Sequence, residues 1–466
     1  MSDHDFEDYD RFHVMEDFDS YHLTEVEIGL WESDIEILDA LKNNTVVKKV
    51  FIELHPNYRP EGQEVLAKLS EVMQCNTSVE TLMIRIQRGL LGERTRLFAS
   101  MATSGGWSSI KQLVLKSEDD DDDYDVLSLR DTEQISSFIM QSDNLRALTL
   151  DVPTVQAEPM IEALSRTKVQ SLDVHFRSTS DLQNGARRLA TALERCTCIT
   201  ELKLKFPRYN DEVEFIQILL VESIPKMLGL EVLELQMHRH LDEQFFDMVG
   251  RCIDGHQGEI EELLLKFEFD SLDKTSIAGL APALRRLKVI EFHKFTALTS
   301  KQIRELSAVA ADCDTLEEFC YNMFDSTDDF QAFCQLLSRF PKLKRVRQGH
   351  LRHGYHCDDQ VFHEESRLMA FREMVKTSKT IEQVFPSQLY RAEEEVAIKY
   401  HCRNNMVHNR IREQSFLAAT VPSSAWPLIL NEFSDMPDVL LYLLQQKHGA
   451  MIGPTCHGCK RKQDFD

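Results

Sequence analysis

Two stretches of the chain gather residue types that could do chemistry. Cys456-His457-Gly458-Cys459 is a CxxC pair, which supplies half of a zinc site or the two thiols of a disulfide exchanger. His350-x-x-His353-x-x-His356-Cys357, with His363 beyond it, is the densest set of imidazole and thiol ligands. Each falls short of a site. The CxxC has no second pair to complete a tetrahedron, and its charged tail lacks the strand-then-helix setting of redox pairs. Histidines three apart would share a helix face, but Gly354 and the polar flanks oppose a helix there. The reading is a histidine-bearing surface loop, and a zinc site shared with Cys456 and Cys459 stays open. The acidic run Glu118–Asp123 is contiguous, whereas calcium loops space their ligands around a glycine turn, so it reads as a solvated loop.

No GxxxxGK phosphate loop, no GxGxxG after a strand, no GxSxG and no HExxH occurs. No catalytic residue, resident metal or cofactor is therefore expected.

The elements that must position these residues follow one repeating pattern, apolar–x–x–apolar–x–apolar. It runs from Leu23/Val26/Ile28 through Val47/Val50/Ile52, Val79/Leu82/Ile84, Ile110/Leu113/Leu115, Leu145/Leu148/Leu150 and Val169/Leu172/Val174. It continues as Ile199/Leu202/Leu204, Leu230/Leu233/Leu235, Ile260/Leu263/Leu265 and Leu287/Ile290/Phe292, then weakens through Leu316/Phe319/Tyr321, Leu343/Val346 and Ile381/Val384. The mean interval is roughly 30 residues, at the upper edge for leucine-rich repeats. Alternation of period two predicts a short strand with its apolar residues on one face. Helical spacing fills the gaps, as at Ile35, Leu38 and Leu41 (behind a Ser33/Glu36 capping signature), Gly185–Arg195, Gln302–Ala311 and Phe330–Arg339.

Ala40-Leu41-x-x-Asn44-x-x-Val47-x-x-Val50-x-Ile52 returns as Ala192-Leu193-x-x-Cys196-x-x-Ile199-x-x-Leu202-x-Leu204. Asn76, Ser142, Cys313 and Ser378 stand likewise three residues ahead of their strands. These residues resemble the ribonuclease-inhibitor-like subfamily of leucine-rich repeats, over about Leu23 to Pro386. The resemblance implies an α/β solenoid, a curved horseshoe with parallel strands on the concave face and helices on the convex face. A small polar residue at the turn can satisfy neighbouring backbone groups, so Cys196 and Cys313 read as structural. The asparagine that the family places after the strand is missing, its position holding His55, Gln87, Pro153, Pro207 and His238.

After Pro386 the phase is lost, and two short apolar helices, Ala425–Phe433 and Val439–Leu444, read as a cap over the exposed end of the array. WPLILNEF followed by DVLLYLLQQK resembles the closing module of large leucine-rich-repeat families of diatoms, with Ile398, Tyr400, Cys402, Arg403 and Asn404 a loose match to their YLRLNR-like helix. That resemblance brings no activity with it. The predicted division is an acidic tail at 1–20, an array of about thirteen irregular units at 21–388, a helical cap at 389–453 and a charged tail at 454–466.

Acidic residues number 77 against 53 basic, a formal charge of −24 that repels phosphate backbones and anionic lipids. No stretch approaches the roughly 20 apolar residues of a membrane helix. The acidic start, MSDHDFEDYDRF, reads as neither a secretory nor a mitochondrial signal. The eleven cysteines are scattered and read as free thiols. A cytoplasmic monomer is expected, the nucleus being the alternative location, with a protein partner and neither nucleic acid nor membrane.

Positions three, five and seven of each unit face away from the helices, and binding by such arrays uses that concave face. Phe51, Met83, Arg85, Lys203, Lys205, Glu234, Leu264, Lys266, Glu291 and His293 are the candidate partner-facing residues. Phe51, Met83 and Leu264 would be hydrophobes left on an open surface. The expected function is a non-catalytic interaction scaffold. A regulatory adaptor, or a GTPase-activator-like protein acting on a partner's catalysis, is the alternative, although no arginine here matches the loop arginine that Ran-GTPase activators of this repeat type need.

Overall fold

A strand whose every second side chain is apolar buries one face only, and a helix must cover that face before the next strand can pair beside it. The described residues hold thirteen such strands. The computed structural model describes residues 25–28, 34–54, 62–86, 91–103, 107–117, 127–151, 154–176, 182–206, 213–237, 243–267, 275–293, 298–321, 327–348, 364–378, 380–385, 398, 401–402, 405–406 and 409. The histidine loop, the CxxC, the acidic run, the tail at 1–20, Ser33, the residues just after the strands and nearly all of the expected cap lie outside them. The chain divides into two units, Met1–Leu306 and Ser307–Asp466.

In the first unit ten strands lie in sequence order, all parallel. They are β1 (Glu25–Ile28), β2 (Lys49–Leu54), β3 (Thr81–Ile86), β4 (Gln112–Ser117), β5 (Ala147–Asp151), β6 (Ser171–His175), β7 (Glu201–Phe206), β8 (Val232–Met237), β9 (Glu262–Phe267) and β10 (Val289–His293). Register aligns equivalent repeat positions, Leu82 with Leu113, Leu148 with Leu172 and Leu202 with Leu233. The crossovers are helical, at Asp34–Lys42, Gly62–Cys75, Leu91–Thr103, Leu129–Gln141, Thr154–Leu164, Leu182–Glu194 and Glu243–Asp254. Two crossovers depart from a simple helix. Between β7 and β8, Val213–Gln217 passes into a π-helical turn at Ile218–Ser223, with the Ile224 amide donating five residues back to Leu219, and then a 3-10 turn through Pro225. Between β9 and β10 only a 3-10 turn (Ala278–Leu280) and the single helical turn Ala281–Leu284 remain.

The second unit repeats the plan with β11 (Glu318–Tyr321), β12 (Arg345–Gln348) and β13 (Gln383–Phe385), the helices being Thr327–Leu337 and Glu364–Thr377. Both units therefore have leucine-rich-repeat architecture. Their cores are leucine, isoleucine and valine, each fully buried side chain stabilising by roughly 1.5–3 kcal/mol. Aromatic rings fill the wider gaps, with Phe176, Phe206 and Phe215 in the first unit and Phe319, Tyr321, Phe330, Phe333 and Phe371 in the second.

Each helix-to-strand turn buries backbone groups that need partners. Buried Asn76 donates to the carbonyls of Leu41 (2.6 Å) and Asn44 (3.0 Å) in the repeat before, and accepts from the amides of Ser78 and Val79. Asn44 accepts from Val46 and Val47 in the same way. Cys196 donates its thiol to Ile161 and Ala192, and Cys313 to Val309. Burial pushes the Cys196 thiol up to about 12, so it stays protonated and serves as a donor. Two residues outside the expected pattern do the same work. His256 bonds Met227 O through Nε2 and accepts from the Gly258 amide at Nδ1, while Arg286 of the next repeat donates to the carbonyls of Ile253, Asp254, His256 and Gly258. Asn405 extends the series past β13, donating to Val375, Ser378 and Ile381.

Candidate functional site

Because register is kept from β1 to β10, side chains pointing away from the helices stand in three rows. The third-position row runs from Glu25 and Lys49 to Val289, and the fifth from Glu27 and Phe51 through Lys203 and Glu234 to Glu291. The seventh runs from Glu53 and Arg85 through Lys116, Asp151, His175, Lys205 and Gln236 to Lys266 and His293.

Phe51 and Met83 are register partners and both are partly exposed. The Arg85 guanidinium lies over the Phe51 ring, 5.0 Å from its centroid, and holds Glu53 at 3.1 Å. Val114, next in the row, faces the same way but is buried at 4% exposure. Four strands on, Glu234 is also buried, at 7%, where Lys266 (2.5 Å) and Lys203 (3.8 Å) both reach it. Lys203 binds Glu201 as well, at 3.0 Å. Burial works against the charge on each of these two, yet the Glu201 contact raises the Lys203 pKa, and bonds from Ser171 and Lys203 lower that of Glu201. Leu264 and Glu291 are partly exposed beside them; of His293 only the backbone is described, paired with Lys266. Lys205 carries no ion pair among the described residues. Phe51, Met83 and Arg85 thus form one group, Lys203, Glu234 and Lys266 another, each with its charges largely satisfied.

Between the groups stands a cluster of three. His175 meets Asp151 through Nδ1 (3.5 Å) and Asp173 through Nε2 (3.2 Å). Burial disfavours its charge, but the bonds to Asp151 and Asp173 outweigh that and raise its pKa to about 9. At neutral pH the ring is an imidazolium giving both N–H groups to carboxylates. It has no free lone pair, so it can act neither as a general base nor as a metal ligand. The alternation places these three residues on the open face, Asp173 and His175 two apart on β6, but that Asp151 joins them follows only from the register of β5 with β6.

In the second unit the open face of β11 carries the buried Glu318, which binds Arg345 at 2.5 Å and Arg347, while Arg347 also donates to the Cys320 thiol at 3.2 Å. Among the described residues no group of three or more His, Cys, Asp and Glu side chains is placed to hold a metal ion, and no helix is long and apolar enough to cross a membrane. The His350–His363 loop and the Cys456/Cys459 pair lie outside those residues.

Strand after parallel strand, backed by helices and presenting rows of mixed polar and apolar side chains, gives a leucine-rich-repeat-like α/β solenoid fold with an open strand face. No protein-family model matches the chain, and no curated protein is similar to it in sequence. Among solved structures, similarity extends to a crystal structure of a protein from Bacteroides fragilis, at 12% identity and a TM-score of 0.37, covering 60% of this chain and 76% of that one. It also extends to TLR13 in its complex with ssRNA13, at 11% identity and a TM-score of 0.32, covering 76% of this chain and 52% of TLR13.

Proposed function

We propose that the chain is a non-catalytic scaffold that docks a protein partner on the open strand face of its first unit. The observation that carries this reading is the pair Phe51 and Met83, large apolar side chains side by side in register and left partly exposed on the open strand face. Apolar side chains beside a guanidinium and ringed by satisfied ion pairs are the composition of an interface centre. The engagement of both His175 nitrogens and of the turn cysteines speaks against catalysis on this face. The turn bonds of Asn76, Cys196 and Cys313 support a repeat of the ribonuclease-inhibitor type over 21–388. Asn405, bonded like one more turn asparagine, supports the start of a capping segment within 389–453. The charge of −24 favours a protein over nucleic acid as partner, in the cytoplasm or nucleus. Affinity capture with the native chain, repeated with the F51A/M83A double variant, tests the docking face. A captured partner should be lost at least tenfold from the variant; equal recovery would remove these residues from the interface.

A further inference from the structure

We propose that the seventh-position row of the first unit binds an extended acidic peptide segment of the partner protein. This rests on the reading of the open strand face as a docking surface. The row carries Arg85, Lys116, His175, Lys205 and Lys266 against two carboxylates, Glu53 and Asp151. The parallel fifth-position row has the opposite balance, with Glu27, Asp173, Glu234 and Glu291 against Lys203 alone. A basic stripe is therefore laid along the C-terminal ends of the strands of a protein whose charge is −24. Arg85 and Lys266 are held by the neighbouring carboxylates of Glu53 and Glu234, so the lysines left over are the part of the row that can receive a ligand's charge. Lys116 and Lys205 form no ion pair among the described residues, and His175 between them, already held by Asp151 and Asp173, is charged at neutral pH.

Spacing narrows the ligand. Neighbouring strands lie about 4.8 Å apart, so Lys116 on β4 and Lys205 on β7 stand roughly 14 Å apart along the row. An extended peptide rises about 3.3 Å per residue and repeats its facing every second residue, so carboxylates at i and i+4 reach both lysines from one side of the chain. A nucleic-acid backbone is a poorer fit. Its unbroken charge would lie against Asp173 and Glu234, about two residues' rise away on the same strands, while a peptide can place neutral side chains there. The acids elsewhere on the protein act on a docked peptide only weakly, because the screening length at physiological salt is about 8 Å.

The test is fluorescence anisotropy with the full chain and a labelled twelve-residue peptide carrying Glu at i and i+4 in a Ser/Thr background. The Gln version of the peptide, a Lys version and a single-stranded oligonucleotide serve as competing probes. The Glu peptide should bind, weaken as salt rises, and bind at least tenfold tighter than the Gln version. K116E/K205E should lose at least tenfold, K116Q/K205Q should lose in the same direction, and K42E/K226E on the helix side should stay within twofold. Circular dichroism and melting of each variant separate lost binding from lost folding. Equal binding of the Gln peptide, preference for the Lys peptide or the oligonucleotide, or indifference to K116E/K205E would each overturn the proposal. So would self-association of the chain that K116E/K205E abolishes while no peptide binds, which would assign the row to a second copy. A captured partner lost with F51A/M83A but kept by K116E/K205E would uphold the docking face and sink the acidic-peptide inference alone.

Discussion

His175 is a side chain whose ionisation the fold controls. Histidine in an unfolded chain titrates near 6.5, whereas this one, between Asp151 and Asp173, titrates at about 9. A pKa raised by folding means that the folded state holds the proton more tightly. Its contribution to stability is complete below about 6.5 and declines as pH rises to about 9, above which it is gone. At about 1.4 kcal/mol per unit the contribution is on the order of 3 kcal/mol. H175Q should therefore be less stable than the native chain in urea unfolding at pH 6, by up to that amount, and should lack the decline between pH 6.5 and 9. Parallel pH profiles for the two proteins would show that the aspartates do not hold the proton.

At the scale of the element, the helix Glu243–Asp254 and the 3-10 turn Ala278–Leu280 meet backbone to backbone through Gly250 and Gly279. A Cβ on Gly250 would stand 1.9 Å from Gly279 O, and one on Gly279 would stand 2.5 Å from the Asp247 amide nitrogen. Both obstacles are backbone and cannot swing aside. G250A should cost about 3 kcal/mol, the upper end of ordinary overpacking, measured as a loss in urea unfolding. Gly255, whose added Cβ would meet only Arg251 O at 3.0 Å, makes the comparison, and an equal cost for G255A would show that the loss was not steric. This contact also marks where the sequence stops being readable. Every strand was legible, because period-two alternation is local, and the helices expected near 185–195 and 330–339 lie at Leu182–Glu194 and Thr327–Leu337. The cut-off crossover after β9 was not, because a neighbouring backbone sets its length; nor was the π-helical turn ahead of Pro225. Of the turn residues, Asn44, Asn76 and Cys196 stand three before the strand pattern and could be read. His256 stands one residue earlier, and Arg286 reaches back from the following repeat, so neither matched. The open face was legible as rows, but the burial of Glu234 and the meeting of His175 with Asp151 depend on which strands are neighbours.

At the scale of the whole molecule, the turn bonds of Asn76, Cys196, His256 and Arg286 in the first unit each reach back to the repeat just before. Such an array stores its stability in nearest-neighbour contacts, so a local loss should stay local. Asn76 is the place to test this, since it ties β2 to β3 through four backbone groups. N76A leaves the carbonyls of Leu41 and Asn44 and the amides of Ser78 and Val79 without that partner, at a cost of about 2–4 kcal/mol. Two kilocalories correspond to roughly a 30-fold rise in local opening. Hydrogen exchange read by mass spectrometry should then show amides of β2 to β4 exchanging tens of times faster in N76A, with those of β8 to β10 changing less than threefold. The alternative outcome is also definite. If β8 to β10 lose protection as much as β2 to β4, the first unit opens as a single cooperative body, and the stacked turns serve the sheet as a whole instead of their own neighbours. A docking face built on the first behaviour can loosen at one end while keeping its rows in register at the other, which suits a surface whose apolar pair at β2 and β3 and charged groups at β5 to β9 lie several strands apart.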